Sequence, residues 1–165
     1  MIIDLQIASV SEHLPSLLQL QTWSQLALQT PTSEAEITIR LVDDAESQAL
    51  NLEYRGKDKP TNILSFEFEK PTFDDEELAA QIAAELGDAQ YLGDLVINVP
   101  LLEREALAQN KPLMHHFAHL VIHGTLHLQG FDHIEEAQAK VMEDLEAKLL
   151  ATLDIPNPYV AKESN

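Results

Sequence analysis

Histidine recurs at every fourth residue at His115, His119, His123 and His127, in a chain that has 7 histidines in all. On a helix each four-residue step advances ~6 Å and turns ~40°, so neighbours in such a series share one face. The stretch "HGTLHLQGFDH", from His123 to His133, is the strongest constraint on the backbone. A helix must carry His123 and His127. Gly130 can end it in the left-handed conformation that glycine adopts without strain. The chain then turns back through Phe131 and Asp132, and His133 returns to the same point. Three neutral imidazoles converging on an ion leave a fourth position open, as in catalytic rather than closed structural zinc sites.

A lone histidine on an apolar face is usually a satisfied core residue. Three of them with a glycine turn between the second and third point instead to a metal. The chain has no cysteine, which removes disulfides and thiolate ligands. Imidazoles without thiolates or clustered carboxylates suit zinc, nickel or copper, and zinc is the expected ion, one per chain. His115 and His116 fall at the helix start and are expected to be exposed or structural. His119 lies one turn before His123 and either supports the site or packs. The spacing H-x-x-x-H-x-x-G-x-x-H is that of the metzincin peptidases, which carry a glutamate base after the first histidine. Here that position is Gly124. A metallopeptidase or another metallohydrolase therefore stays open as a reading, weakened by the missing base.

The formal net charge is −18, from 28 acidic and 10 basic residues. An acidic protein does not attract a polyanion at long range. The basic residues are unevenly spread, however, and Arg55, Lys57 and Lys59 fall together in "EYRGKDKPTNILSF" (Glu53–Phe66). Gly56 and Pro60 mark this stretch as a loop. By itself it would read as a solvated basic turn. Beside a metal site it gains meaning, because arginine grips phosphate in a planar two-pronged contact that lysine cannot copy. Metal plus arginine suits phosphodiester cleavage, where charge builds on the non-bridging oxygens. Lys57 and Lys59 are candidate phosphate contacts.

Around these motifs the hydrophobic pattern predicts strands at "IIDLQIA", at Glu36–Val42, at Asn62–Glu69 and at Leu92–Val99. Helices are predicted from Leu14 to Leu28 with Pro15 in the first turn, and over "DDAESQALNLEYR" with capping aspartates. Others cover "DDEELAAQIAAELG", stopped by Gly87, "PLLEREALAQ", and a longer stretch after Pro112. The last is predicted from about Ile134 to Leu153, with an apolar stripe of Ile134, Ala137, Val141, Leu145 and Leu149. The fold class is α+β, with an α/β-like succession of elements. It is a single domain over residues 1–154 with a mixed four-stranded sheet packed by helices, the metal site on a helix and its following turn, and a loose tail over 155–165. Residues 70–91 read as an exposed acidic excursion. No apolar run spans a bilayer, and the N-terminus lacks the form of a signal peptide, so the expected location is cytoplasmic.

"HGTLHLQGFDH", "YRGKDKPTNILSF" and "LGDLVI" together resemble the YbeY family of bacterial endoribonucleases, the rRNA maturation factors. The resemblance runs from Leu50 to about Ile134. It implies a small cytoplasmic metalloprotein acting on single-stranded RNA, in 16S rRNA 3′ end maturation and ribosome quality control. It implies metal ligation by His123, His127 and His133, and a catalytic arginine at Arg55. The implied partners are rRNA, the small ribosomal subunit, a small-subunit ribosomal protein and a ribosome-assembly GTPase. Asp132 either orients a ligand imidazole or caps the helix that begins near Ile134. Asp94 is a weaker candidate for any role, and Ser65 is expected to be structural. The nucleophile is expected to be water rather than an RNA 2′-hydroxyl. A non-catalytic ribosome-assembly protein with a purely structural metal is the reading from a different class.

Overall fold

Residues 35–42 alternate as a half-buried strand should. Ala35, Ile37, Ile39 and Leu41 are buried, while Glu36, Thr38 and Arg40 on the opposite face are not. This strand is β2 (Ala35–Val42), following β1 (Ile2–Ile7) and α1 (Leu17–Ala27). Next come α2 (Asp44–Arg55), β3 (Ile63–Glu67), α3 (Glu76–Leu86), β4 (Gln90–Asn98), α4 (Val99–Ala108), α5 (Leu113–Leu128) and α6 (Glu136–Ala151). The structure is a computed structural model that describes residues 1–29, 34–68, 74–86, 90–132 and 134–160. Gly87, expected to stop α3, and part of the acidic 70–91 stretch lie outside the described residues.

The sheet has the order β1-β2-β4-β3, with β1, β2 and β4 parallel and β3 antiparallel to β4 at the edge. With six helices among the described residues, this is a single-domain α+β fold with a mixed sheet. One face of the sheet carries Ile37, Ile39, Leu41, Leu95 and Ile97, and α1, α4, α5 and α6 close the main core over it. Fully burying such a side chain contributes about 1.5–3 kcal/mol relative to leaving it exposed. The other face holds a smaller cluster of Val42, Leu64 and Val96, covered by Leu50 of α2 and by Phe66. The fold therefore places α2 and α5 on opposite faces, both reaching the edge strand β3.

Three expectations are corrected. Helix α1 begins at Leu17, not Leu14, because Ser16 caps it and closes a box with Gln19, leaving Pro15 buried ahead of the cap. Asp43 occupies the cap position of α2, but its carboxylate turns to Ser9 Oγ and the Val10 N–H instead of the helix. In α6 the inward face is Met142, Glu146 and Leu150, whereas Ile134 and Val141 are exposed. Of the expected apolar stripe, Leu145 and Leu149 do pack against the core, half-buried beside that face.

Candidate active site

Arg55 is the last residue of α2. Gly56 follows in the left-handed region at φ 70°, and its N–H returns to the Leu52 carbonyl at 3.1 Å. That turn ends the helix under Arg55 and launches the basic loop. The loop is fastened to α2 by side chains from the helix's own interior. Ser47 Oγ donates to the Thr61 carbonyl at 2.7 Å and accepts from the Thr61 N–H at 2.9 Å. Asn51 Nδ2 donates to the Lys59 carbonyl at 2.8 Å, and Gln48 Nε2 to Asp58 Oδ1 at 2.9 Å. Its far end is held by Asn62, whose carbonyl accepts the Asn98 N–H at 2.9 Å and whose amide donates to Glu105. Glu105 also meets buried His116 at 3.0 Å, and that hydrogen bond, outweighing burial, holds its carboxyl below the usual range. A stretch that looks like a flexible turn is thus tied down at both ends. Lys57 and Lys59 are exposed on it.

Helix α5 runs through the core with Phe117, Val121, Ile122 and Leu126 buried. His119, His123 and His127 lie on its remaining, partly exposed face. The His123 and His127 rings are 4.8 Å apart, those of His119 and His123 6.2 Å. The helix ends at Gln129, and Gly130 takes φ 96°, as the motif requires. The Phe131 N–H then returns to the Leu126 carbonyl at 3.2 Å, turning the chain back. Half-buried Asp132 follows, and His133 lies outside the described residues. Asp132 does not cap the next helix. Helix α6 starts two residues later than expected, at Glu136, and its cap is Glu135, whose N–H reaches Gln138 Oε1 at 3.4 Å.

Gly124 has a physical explanation. It is buried where α5 crosses the sheet, and a Cβ built there would lie 2.7 Å from Leu95 Cδ2 and 2.9 Å from Ile63 Cδ1. The position that carries the peptidase glutamate faces strands β4 and β3, not an open cleft. No larger side chain fits without displacing the packing.

Behind the histidines sits Glu146 of α6, with its side chain wholly buried. One carboxylate oxygen pairs with His123 Nδ1, the other accepts from the Tyr159 hydroxyl, and His119 Nε2 meets that hydroxyl at 3.0 Å. Burial alone would raise the Glu146 pKa, but hydrogen bonds from His119 and His123 bring it down to about 2. Burial, opposed by the neighbouring Glu146 carboxylate, lowers the pKa of His119. The same burial, reinforced by Glu146, raises Tyr159 well above the tyrosine range, so its proton stays in place. His119, His123 and Glu146 bring ligand atoms within 4.8 Å of one another, a group that could hold a metal ion. Sequence reasoning missed Glu146 and Tyr159. A glutamate among charged residues and a tyrosine in a C-terminal tail carry no signal of their own. His116 was expected at the surface or in a structural place, and it is structural.

Arg55, His123 and His127 line one cleft of about 550 Å3, walled also by Tyr54, Thr61, Asn62 and residues of β3 including Ser65. Lys57, Lys59 and Asp132 are not among the described residues that line it. Tyr54 and Phe66, packed edge to face at 5.0 Å, separate this cleft from a second cavity of about 390 Å3 on the α2 side, lined by Arg40, Glu46 and Asp94. Asp94 is bound there to the Tyr91 hydroxyl, away from the histidines. Burial and that carboxylate push Tyr91 up to about 12.

The solution structure of a Thermotoga maritima protein has the same fold, with a TM-score of 0.55 at 20% identity, covering 99% of this chain and 100% of that one. The family model for endoribonuclease YbeY matches residues 6–154. With nearly the whole chain matched, and His123, His127 and Arg55 lining one cleft, the chain belongs to the YbeY family of endoribonucleases, enzymes of rRNA maturation.

Proposed function

We propose that the chain is a metal-dependent endoribonuclease for single-stranded RNA, acting at the 3′ end of 16S rRNA and in ribosome quality control. The observation that carries this reading is the shared cleft: Arg55 arrives from α2 on one side, His123 and His127 from α5 on the other. The donor set fits a divalent ion, because Glu146 already engages His123 Nδ1 and thereby leaves Nε2 as the ligating nitrogen. We assign His123, His127 and His133 as the ligands and zinc as the ion. A bound zinc supplies Lewis-acid stabilisation of phosphate charge and lowers the pKa of water. Arg55 grips a non-bridging phosphate oxygen and offsets charge as the bond to phosphorus forms. Tyr54, 60% exposed beside Arg55, offers a ring face for a flanking base. Lys57 and Lys59 meet phosphates further along, and Asp132 orients a ligand imidazole. The single domain spans residues 1–154.

The site works on RNA presented by the small ribosomal subunit, with a small-subunit ribosomal protein and an assembly GTPase as partners in the cytoplasm. No helix among the described residues is long and apolar enough to cross a membrane. The peptidase reading loses ground to the packing around Gly124, which leaves no room for the base it needs. The test is zinc content and cleavage of single-stranded RNA, with casein as control, for the wild type, His127→Ala and His119→Ala. His127→Ala should lose both metal and cleavage. Metal lost from His119→Ala but kept by His127→Ala would move the ion to the His119, His123 and Glu146 group. RNA turnover surviving complete loss of zinc would refute metal dependence.

A further inference from the structure

Glu146 is an ionisable side chain with no solvent exposure, on a helix that otherwise turns Met142 and Leu150 inward. A carboxylate in such a place is costly unless its oxygens are occupied. Both are, and the partners fix where the protons sit. A carboxylate only accepts, so the Tyr159 hydroxyl donates to it. The tyrosine oxygen must then accept, so His119 donates from Nε2. By the same logic His123 donates from Nδ1. The rings are held as well as the protons: His119 and Tyr159 meet edge on at 5.4 Å and 89°, His119 and His123 at 76°. Tyr159 itself is set by its N–H, which donates to Asn157 Oδ1 at 2.9 Å.

From this geometry we infer that Glu146 and Tyr159 are positioning residues of the active site: the carboxylate locks His123 as its Nδ1–H tautomer, with Nε2 unprotonated, and the tyrosine locks the carboxylate. The inference rests on the proposed metal site. A neutral imidazole in the other tautomer carries its proton on Nε2 and cannot ligate through it. Residues 157–160 thus contribute to the site from the C-terminal end of the described chain, through a single hydroxyl.

The test uses the full chain, stripped of metal, with two readouts. Nitrogen-15 NMR of the imidazoles reports the His123 tautomer in the apo protein, and competition against a chelator reports zinc affinity. Wild-type apo protein should show His123 protonated on Nδ1. Glu146→Gln should keep one zinc per chain but bind it about 10–100-fold more weakly, as loss of an outer partner does. Tyr159→Phe, which spares the carboxylate, should weaken zinc by less than about 10-fold. An Nε2–H tautomer at His123 in the apo wild type overturns the inference, whether or not Glu146→Gln folds. So does wild-type zinc affinity in a folded Glu146→Gln. Zinc abolished by Glu146→Gln yet retained by His127→Ala would make Glu146 a ligand, which also overturns it. A wild type that binds no zinc, with the Nδ1–H tautomer present, would refute the metal reading and leave the tautomer lock standing.

Discussion

Substituting Gly124 asks whether packing, and not chance, keeps the peptidase glutamate out of this motif. Gly124→Ala replaces a poor helix former with the best one, a gain of about 1 kcal/mol in a helix interior. The added Cβ would sit 2.7 Å from Leu95 Cδ2 and 2.9 Å from Ile63 Cδ1, closer than carbon atoms tolerate. Leu95 is fully buried and has little room to yield. Overpacking of this kind costs about 1–3 kcal/mol, so the balance is a loss of about 1 kcal/mol and a Tm lower by about 2–4 °C for a chain of this size. Gly124→Glu adds a carboxyl group with no partner against the sheet. The cost then rises to several kcal/mol, a large part of the stability of an ordinary domain. Urea unfolding with a matched far-UV signal measures both. A casein assay on whatever Gly124→Glu protein folds should stay silent. The reasoning fails if Gly124→Ala raises stability by the full helix gain, or if Gly124→Glu is as stable as wild type.

Arg55→Lys should retain the wild-type Tm and lose most RNA cleavage, since charge survives but the two-pronged geometry does not; wild-type cleavage would reduce Arg55 to part of a diffuse field. Tyr54→Ala should raise KM for short RNA with little change in kcat, while Tyr54→Phe behaves as wild type; equal KM in all three removes the stacking contact. Glu105 has a depressed pKa from its His116 and Asn62 contacts, so the stability it supplies is complete above its unfolded pKa of ~4.3 and disappears as pH falls through the lower folded value. Glu105→Gln should therefore flatten the acid limb of stability measured against pH, and an unchanged limb would contradict this. A single 2′-deoxy sugar at the cleaved bond should leave cleavage intact without a 2′,3′-cyclic product; loss of that one cleavage would make the 2′-hydroxyl the nucleophile.

The parts of the fold that repeat were legible in the sequence. Strands β2 and β4 declare themselves by alternation and β-branched content, and α5 by histidines and apolar residues in helical register. Strand order was not legible, because alternation says which face a residue occupies and not which strand lies beside it. The antiparallel return of β3 to the edge, which brings the loop after Arg55 to α5, is a tertiary outcome. Local patterning misled where a polar side chain is buried for a purpose. Ser47 and Asn51 look like ordinary helix-surface residues, yet they point inward to fasten the basic loop. Glu146 gave no signal, because a buried carboxylate is too costly unless it is paired, and its partners stand 23 residues before it and 13 after it in the chain. Gly124 read as a deficiency, and only the approach of Leu95 and Ile63 shows it as a packing requirement.

The charge of −18 and an RNA substrate are reconciled by how the positive groups are distributed. Arg40 is bound by Glu46, Arg104 by Asp44 and Lys140 by Asp144, so these cations contribute little to any field beyond their own pair. Among the described residues, no acidic side chain forms an ion pair with Arg55, Lys57 or Lys59. Arg55 ends α2 and lines the cleft, Lys57 and Lys59 follow on the adjoining loop, and that loop is fastened to α2 by Ser47, Gln48 and Asn51. Repulsion between phosphate and acidic groups farther away than the Debye length, about 8 Å at physiological salt, is largely screened. RNA that arrives already held by a larger ribonucleoprotein needs no long-range attraction. It needs only a short, fixed positive edge beside the histidines, and an acidic surface elsewhere disfavours binding anywhere but there. Three cations release few counterions, so affinity should fall with salt at a slope of only about −2 on logarithmic axes.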